Sequence, residues 1–342
     1  NIYTPEGVVY ESENSLSIES KERINRRIEN AIEDEKMSQL GVSETAMDSL
    51  KTSVSLHALT LDEDGEAKSS STELNTVIGM GASFVIYFFI FLYGVQVMKG
   101  VIEEKTNRIV EVIVSSVKPF QLMMGKVFGL ALVGLTQIVI WLVFSGILMG
   151  VISFIFIGSD MGNIMDMANS AQAIPAEQMA ELGVSSMMVN VVSGMMAINW
   201  PFIIFSFIMY FLGGYLMYSA LFAAVGAAVD SETDTQQFML PITLPLVFSI
   251  ALSTSVVLRD PNGALSFWLS IIPLTSPIVM MVRAPFLNLA TQWWEVALSI
   301  GLLITTFCFT IWLAGKIYRT GILMYGKKAT YKELFKWLFY KG

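Results

Sequence analysis

Long apolar stretches alternate with polar segments over most of the chain. Five stretches contain 20 or more predominantly apolar residues: 76–98, 127–157, 201–229, 238–257 and 296–315. About 20 such residues are enough for one helix to cross a bilayer. The pattern therefore predicts five transmembrane helices, and the second and third are long enough to tilt, kink or extend beyond the membrane.

A further apolar region, between the fourth and fifth predicted spans, is divided into the pieces 264–272 and 278–282. Each piece is too short to cross a bilayer. Broken helices at membrane depth occur where protein buries them or where they line a cavity. We therefore expect a re-entrant external hairpin of two half-helices over 264–285. Its prolines are Pro273, Pro277 and Pro285.

The first 75 residues contain no apolar stretch of spanning length, and they carry 16 acidic and 7 basic residues. Local patterns predict helices and strands here: helices at 15–40 and 43–51, strands at 8–10 and 54–61. We therefore expect a small, incomplete α/β domain over 1–75. The transmembrane domain follows over 76–342.

The composition supports a membrane protein. Hydrophobic residues make up 54% of the 342 residues and charged residues only 15%, whereas soluble domains average about 25% charged residues. The expected fold is therefore an all-α polytopic helical bundle. A net charge of -8 argues against nucleic acid as a partner. The chain has one cysteine, Cys308, and one histidine, His57. An intrachain disulfide and a multi-His metal centre are therefore excluded.

Basic residues predict the orientation, because Lys and Arg concentrate in cytoplasmic segments. Residues 99–126 and 316–342 hold 12 of the 21 basic residues, and the loop 158–200 holds none. We therefore expect the C-terminus and the segment 99–126 in the cytoplasm. Residues 1–75 then lie outside. Since an external N-terminal segment must be translocated, we expect a sixth span before Asn1.

The predicted spans contain no Asp, Glu, Lys, Arg or His. Secondary transporters and proton pumps place such residues in the membrane to bind ions and relay protons, so energy for transport has to come from elsewhere. The sequence also lacks the phosphate-binding pattern G-x-x-x-x-G-K-[ST]. The polar Gln137 and the pair Gly213 and Gly214 are expected to serve helix packing.

The stretch 101–117 reads as an amphipathic helix at the membrane surface. Its apolar face is formed by Ile102, Ile109, Val110, Ile113 and Val117, and its polar face by Glu104, Arg108, Glu111 and Ser115. Helical spacing allows Glu104 and Arg108 to pair. The helix either anchors its loop in the interface or presents a charged ridge to a partner.

This stretch also resembles a known family. Residues 103–111, followed by 115–122 and then Gly125-Lys126, are similar to the characteristic segment of ABC-2-type permeases. The sodium-extrusion (Nat-type) and multidrug branch is the most similar one. Residues 272–277 with 280–283 resemble the external hairpin of that branch, and Asp230-Ser231-Glu232 resembles its short internal loop. The likeness extends over essentially the whole chain.

The resemblance implies six spans in the full length, with a large external domain between the first two. It also implies a permease subunit that couples ATP hydrolysis by a separate nucleotide-binding subunit to efflux. ATP and magnesium are then bound by that partner, and this chain is not itself an enzyme. A second permease copy or paralogue completes the assembly in the cell membrane. The coupling helix is expected to dock on the ATPase through Glu103, Glu104, Lys105, Arg108 and Glu111.

The hairpin is expected to act as an external gate through Pro273, Pro277 and Arg283, or to form a structural lid. Arg283 either anchors it at the lipid headgroups or contacts substrate. The substrate stays open between Na+, suggested by the resemblance, and a hydrophobic, drug-like compound, suggested by the uncharged spans. Two other functions compete with the permease: a channel or secondary ion transporter, and a non-transporting scaffold or receptor that presents residues 1–75.

Overall fold

A computed structural model of the chain describes residues 9–12, 18–40, 57–61, 67–70, 72–109, 116–156, 194–195, 198–322, 324 and 333. The strands are β1 (Val9–Ser12), β2 (His57–Leu61) and β3 (Ala67–Ser70). The α-helices are α1 (Ile18–Leu40), α2 (Thr72–Thr106), α3 (Pro119–Phe156), α4 (Trp200–Ala228), α5 (Thr235–Leu252), α6 (Ala264–Ile271), α7 (Ser276–Arg283) and α8 (Leu289–Gly321).

In the part of the chain that the structure describes, five helices are long and apolar enough to cross a membrane: α2, α3, α4, α8, and α5 with its continuation to Val257. They coincide with the five predicted spans, except for one residue at the end of the second span and one at the end of the third, which confirms the multi-pass architecture. Several are longer than predicted. The 35 residues of α2, at about 1.5 Å each, extend over about 52 Å, against a hydrocarbon core of about 30 Å. Charged residues that flank the apolar stretches therefore lie on the same helices.

Helix α4 is the centre of the bundle, since it contacts α2, α3, α5, α7 and α8. Glycines let the helices approach closely, as is common between membrane helices. A Cβ added at Gly226 of α4 would lie 2.7 Å from the Met98 carbonyl oxygen of α2. Gly213 lies against Leu303 of α8, and Gly214 lies against Pro277 and Ile90. The predicted packing role of this glycine pair is confirmed.

Helix α5 is irregular in its interior and at its C-terminal end. It contains Pro241 and Pro245, which each remove one backbone hydrogen bond of the helix. It continues as a five-residue π-helix, Ser253–Val257, a wider turn that is found mostly as a local insertion in α-helices. The chain then turns at 258–263 into α6.

Helices α6 and α7 occupy the region where the sequence predicts a hairpin. Each has eight residues, or about 12 Å, so neither crosses a bilayer. Pro273 lies in the turn between them, and Pro277 lies in the first turn of α7, where proline is tolerated. Helix α7 is buried throughout. A Cβ at Gly79 of α2 would lie 2.7 Å from the Val282 carbonyl oxygen of α7, so this short helix packs directly on the backbone of α2.

The N-terminal strands form one sheet in the order β1-β2-β3, with β1 parallel to β2 and β2 antiparallel to β3. Strands β1 and β2 and helix α1 lie close to the positions that the sequence predicts, whereas β3 is not predicted by it. Lys21 of α1 lies 2.6 Å from Glu73 at the start of α2. The predicted helix at 43–51 lies outside the described residues.

The predicted coupling helix over 101–117 needs a correction at its start. Residues 101–106 are the last turns of α2, and Val101, Ile102 and Lys105 are buried there. The helix ends at Thr106, and Arg108 has a left-handed backbone with φ of 55°. Packing in the bundle therefore fixes this end as part of a transmembrane helix. Residues 110–115 lie outside the described residues, so the remainder of the helix stays a prediction.

Candidate functional site

Ionisable side chains are gathered at the two ends of the apolar bundle. At one end, α2 ends and α3 begins, and we name the side chains of Glu104, Lys105, Lys126, Asp230 and Tyr318 the 104–105 cluster. At the other end, α7 ends and α8 begins, and we name Arg283, Glu295, Ser270, Gln292 and Asn262 the Arg283 cluster. Gly79, which packs on α7, and Lys105 are 26 residues apart on α2, or about 39 Å.

Lys105 is bound by the end of α4. Its Nζ donates to the carbonyl oxygens of Ala227, at 2.9 Å, and Val229, at 3.2 Å. It also lies 2.9 Å from Asp230 Oδ1, and the Lys105 side chain is only 2% exposed. The last carbonyls of a helix carry partial negative charge, so a cation is favourable at this position. The ammonium is thus compensated by three oxygens, which a buried charge requires.

Glu104, the preceding residue, contacts the other side of the bundle. Its Oε2 lies 2.7 Å from Lys126 Nζ of α3, and both side chains are mostly buried, 25% and 15% exposed. Gly100 lies beside this lysine, and a Cβ there would be in ordinary van der Waals contact with Lys126 Nζ at 3.4 Å. The Tyr318 hydroxyl of α8 lies at this end of the bundle, where Gly315 packs against Phe120 of α3. That hydroxyl is buried and has no hydrogen-bond partner within the described part of the chain.

The Arg283 cluster fastens α6 and α7 to α8. Arg283 donates through Nε to the Pro261 carbonyl oxygen, at 2.7 Å, and through Nη1 to Ser270 Oγ. Its Nη2 donates to Glu295 Oε2 at 2.9 Å, and the two side chains are 1% and 8% exposed. The headgroup anchor predicted for Arg283 is therefore wrong, because the guanidinium is enclosed by protein. Two further bonds, Gln292 to Asn262 and Ser299 to the Ser270 carbonyl, complete the connection.

Between the two clusters, tyrosines bond neighbouring helices. Tyr215 of α4 donates to the Val127 carbonyl oxygen of α3 at 3.0 Å. Tyr218, one turn on, donates to the Leu274 carbonyl oxygen in the turn before α7 at 2.6 Å. Tyr93 of α2 donates to the side-chain oxygen of Gln137 of α3, which confirms the packing role predicted for Gln137. Among the described residues, no group of three or more His, Cys, Asp or Glu is placed to hold a metal ion.

A family model described as an ABC-2 family transporter protein matches residues 2–316. This range includes four of the five long helices, most of α8, the Arg283 cluster, and the 104–105 cluster except Tyr318. The chain belongs to the ABC-2 transporter family.

Two curated proteins are similar to this ABC-2 chain, and both are described as uncharacterised. YhaP of Bacillus subtilis (strain 168) is 26% identical over 300 residues, which are 86% of this chain and 63% of YhaP. MJ1024 of Methanocaldococcus jannaschii is 26% identical over 270 residues, which are 79% of this chain and 56% of MJ1024. The chain thus spans about three fifths of the length of these relatives. No solved structure matches it.

The docking residues expected for this ABC-2 chain do not form one exposed ridge. Glu103 and Arg108 are exposed, Glu104 is half-buried and Lys105 is buried. The prediction that Lys105 is a docking contact is therefore wrong. It makes internal contacts, because its ammonium is enclosed by the end of α4. Glu104 pairs with Lys126 of another helix, a contact that helical spacing within 101–117 does not predict. Glu111 lies outside the described residues.

The sequence does not reveal the partners that complete both clusters of this ABC-2 chain. Lys126 and Asp230 are notable in it only as parts of the motifs that carry the resemblance. Neither Glu295 nor Tyr318 is singled out by any motif. A signal for the first three exists: each is a charged residue within a few positions of a long apolar stretch. Tyr318 has no such signal, since its burial depends on how α8 packs.

Proposed function

We propose that this protein is the membrane permease subunit of an exporter that is driven by ATP hydrolysis in a separate nucleotide-binding subunit. The observation that carries the proposal is the family match over residues 2–316, which coincides with a bundle of five membrane-length helices. A permease needs helices that can move relative to one another and a surface that receives force from the ATPase. The 104–105 cluster lies where such a force would enter.

The proposed orientation of the protein in the membrane follows from the distribution of its basic residues. The segment 99–126 and the C-terminal 316–342 carry 12 of the 21 Lys and Arg, which favours the cytoplasm for the 104–105 cluster. The Arg283 cluster then lies on the outer side of the cell membrane, together with residues 1–75 as an extracytoplasmic α/β domain.

The ATPase is proposed to dock on the segment that follows α2. Glu103 and Arg108 are exposed there, and Glu111 follows six residues after Lys105 along the chain. Exposed charges of both signs favour association with a partner of complementary charge. Half-buried Glu104 and buried Lys105 face the bundle and are not part of the proposed docking surface.

Helices α6 and α7 are proposed to form an external re-entrant gate. They are too short to span, and α7 is buried against α2 and α4, which is the setting in which interrupted helices are tolerated at membrane depth. Pro273 and Pro277 position the turn between them, and Arg283 holds the pair on α8. The substrate is proposed to be Na+ or a hydrophobic, drug-like compound, and the working unit two permease chains or paralogues.

The experiment is co-purification of the full-length protein from its native membrane in mild detergent, followed by reconstitution into vesicles. The proposal expects a separate ATPase to co-purify and ATP to drive flux of a substrate across the vesicle membrane. Substitution of the phosphate-binding lysine of that ATPase is the control and should abolish flux while leaving association intact. Absence of both a bound ATPase and ATP-dependent flux would overturn the proposal.

The alternative is a non-transporting scaffold or receptor. The observation that favours it is the N-terminal sheet with α1, held near α2 by the pair Lys21 and Glu73. This function predicts that a variant with residues 1–61 deleted loses its partners outside the cell, and that exposed charges near Arg108 can be reversed without any consequence. The flux experiment separates the two functions, because only the permease couples ATP hydrolysis to transport.

A further inference from the structure

Two consecutive residues at the end of α2 contact two other long helices. Lys105 binds the end of α4 through the carbonyl oxygens of Ala227 and Val229 and through Asp230. Glu104 binds α3 through Lys126. Asp230 also begins the connection that leads into α5. One turn of α2 thus meets the ends of both α3 and α4 at this side of the bundle.

The two residues reach different neighbours because consecutive side chains on a helix point about 100° apart. The charge of each side chain is opposite to the charge of the groups that it contacts. The Glu104 carboxylate faces the Lys126 ammonium, and the Lys105 ammonium faces carbonyl oxygens and the Asp230 carboxylate. A rotation of α2 by one residue would bring the Glu104 carboxylate toward Asp230, where like charges repel. The cluster therefore fixes the rotation of α2 as well as its distance from α3 and α4.

Burial strengthens the electrostatic attraction in these contacts. Lys105 is 2% exposed and Lys126 is 15% exposed, so solvent and salt screen them less than a surface pair. Glu103 differs from its neighbour Glu104 in this respect: it has the same side chain, one position earlier, but it is exposed. Two adjacent glutamates are thus placed in two different settings, one facing outward and one facing the bundle.

We propose that the 104–105 cluster makes the ends of α2, α3 and α4 move as one unit during transport, and that Glu104 and Lys105 are positioning residues that do not contact the ATPase. This inference rests on the proposed permease function. A displacement imposed on the segment after Thr106 then reaches three long helices together. Without the cluster, α2 can rotate relative to its neighbours, and the displacement moves α2 alone.

The first experiment compares the adjacent glutamates in the full-length protein with its ATPase. Glu104→Lys should leave co-purification of the ATPase and its basal ATP hydrolysis within about twofold of the unmodified protein, and should lower ATP-driven flux at least tenfold. Glu103→Lys, the matched control, should weaken co-purification itself. The double swap Glu104→Lys with Lys126→Glu should restore flux to within about threefold, since the pair re-forms with reversed signs.

The second experiment tests joint movement directly and does not depend on tolerance of a reversed charge. Cysteines are placed at 104 and 126 in a Cys308→Ser background and joined by a short bis-maleimide linker. Since the linker replaces the ion pair that the two cysteines remove, linked protein should transport faster than the same variant treated with a monofunctional maleimide. A linked protein that binds the ATPase and transports no faster than that control would overturn the inference.

Two further outcomes would also overturn it: loss of ATPase co-purification in Glu104→Lys to the extent seen in Glu103→Lys, or unchanged flux in Glu104→Lys. Failure of the proposed function has a different signature, namely no ATPase and no flux with the unmodified protein. In that case the double swap still tests the cluster, because restoration of the thermal unfolding midpoint lost in Glu104→Lys requires no ATPase. Absence of that restoration would overturn the pairing.

Discussion

The Lys105 ammonium of α2 lies 2.9 Å from the Ala227 carbonyl oxygen in the last turn of α4. A side chain from one transmembrane helix therefore caps another, at a helix terminus whose carbonyls have no partner within their own helix. Gly226 permits this contact, because a Cβ at that position would lie 2.7 Å from the Met98 carbonyl oxygen. Close backbone approach and the buried cation are thus parts of one interface.

Removal of the Lys105 charge should destabilise this interface. In Lys105→Met, two carbonyl oxygens lose their donor and Asp230 loses its cation, and an unsatisfied buried group costs about 1–3 kcal/mol. Asp230 is one-third exposed, so water compensates part of its loss. We expect the free energy of unfolding to fall by about 2 kcal/mol, measured by chemical denaturation in detergent. Lys105→Arg is the control and should lose less, since it keeps the charge. Equal stability of Lys105→Met and the unmodified protein would contradict the capping role.

Substitution of the buried carboxylate in the Arg283 cluster should be more costly. Glu295→Gln leaves the Arg283 guanidinium buried without a counter-charge, and breaking a buried pair in this way costs about 3–5 kcal/mol. The double variant Arg283→Met with Glu295→Met should recover much of the stability, because it leaves no unpaired charge. Thermal unfolding of the three variants in one detergent measures this. A double variant that is less stable than Glu295→Gln would show that the pair itself is not the source of the loss.

Gly226→Ala should disrupt the approach of α4 to α2. The added methyl group meets backbone, which cannot turn away as a side chain does, and overpacking of this kind costs about 1–3 kcal/mol. Gly301→Ala in α8 is a matched control, since a Cβ there has open space around it and alanine favours helix by up to about 1 kcal/mol. The prediction is checked by comparing unfolding midpoints of the two variants; a Gly226→Ala midpoint equal to or above that of Gly301→Ala would contradict it.

The two ends of the bundle should lie on opposite sides of the membrane. Glu103 and Thr291 are exposed residues near the 104–105 cluster and the Arg283 cluster, respectively. In a Cys308→Ser background, Thr291→Cys should react with a membrane-impermeant maleimide in intact cells. Glu103→Cys should react only after the membrane is opened. Labelling of both in intact cells would reject the proposed orientation, and the reverse pattern would invert it.

The Tyr318 hydroxyl offers a test of how far the 104–105 cluster depends on α8. It makes no hydrogen bond within the described residues, so Tyr318→Phe should preserve ring packing and leave stability within about 0.5 kcal/mol. Tyr318→Ala removes a fully buried ring and should cost about 3–5 kcal/mol, as deletion of a large aromatic side chain does. Unfolding in denaturant measures both, and a large loss in Tyr318→Phe would reveal a bond that the hydroxyl makes in the full-length protein.

The sequence by itself determined the five transmembrane helices and the interruption between the fourth and fifth. Those features depend on the length of apolar stretches and on where proline breaks a helix, and both are local properties of the chain. Gly213 and Gly214 could be assigned to packing for a similar reason, since small residues in apolar helices mark close contacts. The motif around Glu103 and Lys105 also indicates the family without any information from the tertiary structure.

Only the tertiary structure decided which charged residues face inward. Glu103 and Glu104 are identical and adjacent, yet one is exposed and the other meets Lys126, because the position of α3 relative to α2 determines what each side chain contacts. Periodicity placed Glu104 and Arg108 on one outward face, but it carries no information on neighbouring helices. For Arg283 the sequence allows either an anchor at the lipid headgroups or a contact with substrate. Its guanidinium lies against Glu295 instead, because the packing of α7 near α8 supplies the anion. Burial of a charge is a property of the assembled bundle, and no single helix contains it.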